Sequence, residues 1–118
     1  MSTDPFVSRL LGPLQPLGPV RARRMFGGWG LFLDDAMIAI VARGRLYWKA
    51  DAETTATFDE AGCAPFTYLR EGRSVALSFR EASADSLDDP DSLLAWARIA
   101  LPAAERALAK RRTRRRRR

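Results

Sequence analysis

The chain has 118 residues, 47% of them hydrophobic, which is enough for one domain around a single core. With one cysteine, Cys63, and no histidine, it can form no internal disulfide, and His-dependent triads, HExxH and Cys2His2 zinc sites and His-ligated haem are excluded. The net charge of +6 is unevenly placed: residues 110–118 hold one Lys and seven Arg, whereas residues 1–109 hold twelve basic and all fourteen acidic residues, a slight acidic excess. No run approaches the roughly 18 apolar residues of a membrane span, and the N-terminus lacks the basic start and apolar core of a signal peptide. The expected location is cytoplasmic, with no membrane contact.

Thr3 or Asp4 can cap a short helix whose first position is Pro5, a residue that needs no donor there. Phe6, Leu10 and Leu14 recur every four residues, and Pro13 and Pro16 are expected to end regular helix early. Strands follow at 20–26, 30–33 and 36–42, the last apolar at every position and so suited to the middle of a sheet. Asp34-Asp35 and Gly44 mark tight hairpins, and 45–49 alternates Leu46 and Trp48 against Tyr47 and Lys49.

Asp51 can cap a second helix over 52–61, with Gly62 as its stop. Strands at 66–69 and 74–79 flank Glu71-Gly72-Arg73, with Val75, Leu77 and Phe79 alternating as in a half-buried strand. Asp88-Asp89-Pro90 opens a C-terminal helix with an apolar stripe of Leu93, Leu94, Ala97, Leu101, Ala104 and Leu108, which Pro102 should kink or split near Leu101. The fold class is therefore α+β: a curved, mostly antiparallel sheet of about six strands packed by an N-terminal, a middle and a kinked C-terminal helix. The domain spans 1–109, and 110–118 is a disordered Arg-rich tail, too highly charged to pack.

Each candidate site has a functional and a structural reading. Gly27-Gly28-Trp29-Gly30 can place backbone amides around an anion, but no P-loop Lys-Ser/Thr follows; a tight or bulged link between strands is preferred. Arg21, Arg23 and Arg24, with Gly27, Gly28 and Lys49, form a candidate anion or partner surface, although ion pairs with the acidic excess are the simpler use of these cations. Tyr47, Trp48, Phe66 and Tyr68 can be drawn as a base-stacking platform, but aromatics on alternating strands are more often core. Asp34, Asp35, Asp88, Asp89 and Asp91 occupy turn and cap positions rather than a metal or acid/base site. Cys63 has no partner for catalysis. No catalytic residue, metal site or cofactor is assigned.

The strongest physical signal is the tail. Lys110, Arg111, Arg112, Arg114, Arg115, Arg116, Arg117 and Arg118 should bind nucleic-acid phosphates by counterion release, with a log–log salt slope of about −7 and little sequence information.

In order along the chain stand Ala22-Arg23-Arg24-Met25-Phe26-Gly27-Gly28-Trp29-Gly30-Leu31-Phe32, Gly44-Arg45-Leu46-Tyr47-Trp48-Lys49-Ala50-Asp51, Pro65-Phe66-Thr67-Tyr68, and Asp88-Asp89-Pro90 leading to Trp96-Ala97-Arg98. This succession resembles the N-terminal domain of the TfoX/Sxy family over residues 5–109. The resemblance implies an α+β domain with a curved antiparallel sheet and packing helices. It also implies kinship with bacterial regulators of natural competence, whose full-length members act with the cyclic-AMP receptor protein and carry a second, C-terminal domain where this chain has its Arg tail. The function expected is a non-enzymatic regulatory or interaction module with a protein partner, such as transcription machinery, and a basic tail for non-specific nucleic-acid binding. The alternatives are a small anionic-ligand-binding domain or enzyme, and a homodimeric structural module.

Overall fold

The structure, a computed structural model, describes residues 4–25 and 27–116. Thr3, Phe26, Arg117 and Arg118, all invoked by the sequence reading, lie outside the described residues, as do the side chains of Tyr68 and Val75.

Helix α1 (Pro5–Leu14) starts as its sequence dictates, with Asp4 accepting from the amides of Phe6 and Val7 and Pro5 in the first turn. Pro13 lies inside the helix, which ends one residue later and passes into a 3-10 turn, Gln15–Leu17. Val7, Leu10 and Leu14 are its buried face.

Six strands form one open antiparallel sheet: β1 (Arg21–Met25), β2 (Gly28–Leu33), β3 (Ala36–Ala42), β4 (Arg45–Lys49), β5 (Pro65–Arg70) and β6 (Arg73–Glu81), in the order β1-β2-β3-β4-β6-β5. The wholly apolar β3 is central, as expected. The turns are of the predicted tight kind, and Asp34, Arg43-Gly44 and Glu71-Gly72 take positive φ. A register shift between Leu31 and Phe32 breaks the β2–β3 pairing, and Ile38 and Ala39 are both buried beside it.

Helix α2 (Thr55–Glu60) is shorter than expected and is not capped by Asp51, which is engaged elsewhere. Arg80 anchors it: Nη1 donates to Asp59 Oδ1 at 2.6 Å and to the Cys63 carbonyl at 3.0 Å, and Nη2 donates to Thr55 Oγ1 at 2.6 Å. A short turn of helix, α3 (Ala84–Leu87), precedes α4 (Pro90–Arg116), where Asp89 Oδ1 accepts from the amides of Asp91 and Ser92.

Two expectations about α4 are corrected. Pro102 does not split it; this exposed proline sits inside one continuous helix, where the carbonyl it leaves without a partner can turn to solvent. The basic segment also continues the helix to Arg116 instead of departing as disordered chain. Arg is a good helix former, the helix is already nucleated upstream, and cations suit a helix C-terminus.

The core lies where α4 crosses β3 and β4, with α1 packed on α4. The close approach is made by Ala97, Ala100, Ala103 and Ala104, while Leu94, Leu101 and Leu108 are only half-buried. Leu31, Ile38, Leu46 and Trp48 meet this face fully buried, and Phe58 stacks on Trp96 with ring centroids 5.2 Å apart. Leu77, expected to be half-buried, is exposed at 41%, and Leu69 at 77%, because β6 pairs with β4 only through Phe79, Arg80 and Glu81 and the rest of the β5–β6 hairpin extends beyond the packed sheet.

Candidate functional site

Because α4 continues as helix, its last turns run beside the sheet and form two clefts. The first, of about 390 Å³, is lined by Lys49 at the end of β4, Met37 of β3, Ser78 of β6 and, from α4, Arg106, Lys110, Arg111 and Arg114. The second, of about 510 Å³, is lined by Arg23 and Arg24 of β1, by Asp35, and by Arg111, Arg112 and Arg115 of α4, with Met25, Phe32, Met37 and Leu108. Arg111 stands between the two.

The charges are not balanced locally. Among the described residues, carboxylate ion pairs occupy Arg45 (with Glu81), Arg80 (Asp59), Arg106 (Asp51 and Glu53) and Arg112 (Asp35). None reaches Arg23, Arg24, Lys49, Lys110, Arg111, Arg114 or Arg115. Arg21 rests over the Phe32 ring (5.6 Å to its centroid), Arg24 over Trp29 (5.7 Å) and Lys49 Nζ over Phe79 (4.9 Å). Burial pushes the Lys49 ammonium below its usual pKa, and the cation of Arg111 and then that of Lys110 push the same way against Asp51. The Arg106 guanidinium holds Asp51 below the usual carboxylate range.

The structure therefore brings Arg23, Arg24 and Lys49 together with the basic end of α4, a grouping that strand alternation alone does not reveal. Gly27 and Gly28 are elsewhere, lining a third cavity of about 620 Å³ with Tyr47, Phe66 and Leu69. A Cβ on Gly28 would collide with the carbonyl oxygen of Val41, so Gly28 serves the close approach of β2 and β3 rather than an anion cradle. Trp48 is core, and Tyr47 meets Phe66 edge-to-face at 4.7 Å, which divides the imagined stacking platform. Cys63 is buried and its thiol pKa is raised by that burial. No group of three or more metal-ligating side chains occurs among the described residues, and none of their helices is long and apolar enough to cross a membrane.

Sequence reasoning did not single out Arg106, Met37 or Ser78. The signal for Arg106 was present: 103, 106, 107, 110, 111 and 114 follow the three-and-four spacing of one helix face, once the helix is extended through the basic run.

Comparison with known proteins places the chain. The family model for the TfoX N-terminal domain matches residues 13–104. DNA transformation protein TfoX1 of Aliivibrio fischeri is 35% identical over 86 residues, covering 73% of this chain and 41% of that protein. Protein Sxy of Escherichia coli K12 is 29% identical over 103 residues, covering 87% of this chain and 49% of that protein. The chain thus spans less than half the length of either curated relative.

Proposed function

The chain belongs to the TfoX N-terminal domain family, and we propose that it is a non-enzymatic regulatory module, working in the cytoplasm in the setting of DNA transformation, that holds nucleic acid through the basic end of α4 while the rest of the domain contacts a protein partner. The observation that carries this reading is the convergence of Arg23, Arg24 and Lys49 from the sheet with Lys110, Arg111, Arg114 and Arg115 from α4, none of which has a carboxylate ion pair among the described residues. Such a surface binds phosphates through counterion release and carries little base readout, so selectivity falls to the protein contact. Two linked weak contacts then reinforce one another. The use of the acidic side chains supports binding over catalysis: Asp51 holds Arg106, Asp35 holds Arg112, and Asp4 and Asp89 cap helices.

The test is binding of fluorescent duplex DNA across a salt series, by the full chain and by the chain ending at Ala109, with circular dichroism to confirm that both are folded. The full chain should show a steep slope, about −0.9 per phosphate engaged, and the shortened chain a nearly flat one. Undiminished salt-sensitive binding by the shortened chain would remove α4's end from the interface.

A further inference from the structure

The cleft at Lys49 is more than one stretch of a basic surface. Lys49 is fixed on β4, half-buried against Phe79, and so is not a mobile tail charge. Arg106 takes the cleft's one carboxylate, Asp51, in a two-point grip: Nε to Oδ2 at 2.6 Å and Nη2 to Oδ1 at 3.1 Å. Lys49, Lys110, Arg111 and Arg114 therefore line about 390 Å³ of space with the exposed Ser78, and among the described residues none of them has a carboxylate ion pair of its own. Crowding cations around a half-buried ammonium is unfavourable until an anion enters; burial first, and then Arg111 and Lys110 against the opposing pull of Asp51, push the Lys49 pKa down.

We propose that this cleft is an oligophosphate site, in which Lys49 and Ser78 on the sheet and Lys110, Arg111 and Arg114 on α4 clamp adjacent phosphates and fasten the last turns of α4 to the sheet. Phosphate fits better than a single carboxylate because four cations call for several negative charges. Arginine forks match phosphate oxygens in pairs, while lysine supplies a compact point charge. The space is in the range of small-ligand sites. The inference rests on the reading of α4's end as a polyanion surface and gives that surface a defined seat. The phosphates belong either to a free nucleotide-like oligophosphate or to consecutive links of a strand.

The experiment is calorimetric titration of the full chain with inorganic triphosphate, and separately with a short single-stranded oligonucleotide, at fixed ionic strength. Unaltered protein, Lys49→Gln and Ser78→Asp are compared, with far-UV circular dichroism alongside. Ser78 is exposed, so Ser78→Asp puts a carboxylate in the cleft without disturbing the core. The expected result is one triphosphate per chain, at least tenfold weaker binding in Lys49→Gln and loss of binding in Ser78→Asp, with the circular dichroism of both variants matching that of the unaltered protein. Dependence on Lys49 in the oligonucleotide arm alone assigns the phosphates to a strand backbone; dependence in the triphosphate arm assigns them to a free ligand. Affinities within twofold of the unaltered protein in both variants and both arms overturn the proposal. Steep salt-dependent duplex binding alongside that result leaves the nucleic-acid reading standing, whereas Lys49-dependent triphosphate binding without duplex binding sinks that reading and keeps the cleft.

Discussion

Arg106 grips Asp51 from 55 positions along the chain, pinning the middle of α4 to the loop that leaves β4. That grip sets the path of the helix past the sheet, and with it the position of every basic residue beyond Ala107.

Replacing Asp51 with Ala removes this grip and the acceptor for the Glu53 amide, and should lower stability by roughly 1–2 kcal/mol in denaturant unfolding at neutral pH. The same carboxylate gives a pH signature. Its folded pKa lies below the ordinary 3.8, so the unfolded chain takes up the proton first as pH falls. The stabilisation is present above about pH 4 and drains away as pH drops through the folded value. Asp51→Ala should flatten that part of the acid profile.

Lys49 has the opposite linkage. Its folded pKa is below 10.5, so the burial penalty and the repulsion from Arg111 and Lys110, only partly offset by Asp51, act in full at neutral pH. They are relieved as pH rises through the folded value towards 10.5. In phosphate-free buffer, Lys49→Met should melt higher than the unaltered protein at pH 7, and the gap should narrow at alkaline pH. A constant gap would place its cause in packing rather than charge.

Gly28→Ala should destabilise by about 1–3 kcal/mol, because the added Cβ meets the Val41 carbonyl oxygen, a backbone atom that cannot move without parting β2 from β3. At Gly30, where the Cβ would meet the side chains of Phe32, Met25 and Met37, the same change should be milder. Paired unfolding curves for the two variants check the order.

Trp48 is fully buried and its Nε1 donor has no acceptor among the described residues. Trp48→Ala should lose about 3–5 kcal/mol. Trp48→Phe should lose less than half of that, since it also removes an orphaned donor. Equal losses in thermal unfolding would show that the indole nitrogen carries no penalty.

Much of this architecture was legible in local chemistry. Asp4-Pro5 and Asp89-Pro90 announce helix starts, the Asp34-Asp35, Arg43-Gly44 and Glu71-Gly72 pairs announce turns, and the unbroken apolar run of β3 announces a central strand. These signals act over a few residues and need no distant partner. Where a distant partner decided, the reading failed: Asp51 looked like a helix cap and is an anchor for Arg106.

The sequence by itself determined the strands and their hairpin pairings, the family, the absence of histidine chemistry and the concentration of positive charge at one end. Those follow from backbone preferences, patterning and composition. Only the tertiary structure decided where that charge goes. Alanines at 97, 100, 103 and 104 bring α4 close over β3 and β4, Arg106 fixes its heading, and the helix continues through the basic run. Cations from β1, β4 and α4 that are up to 92 positions apart, Arg23 to Arg115, thereby line adjoining clefts, because long-range packing rather than any local signal sets their distance.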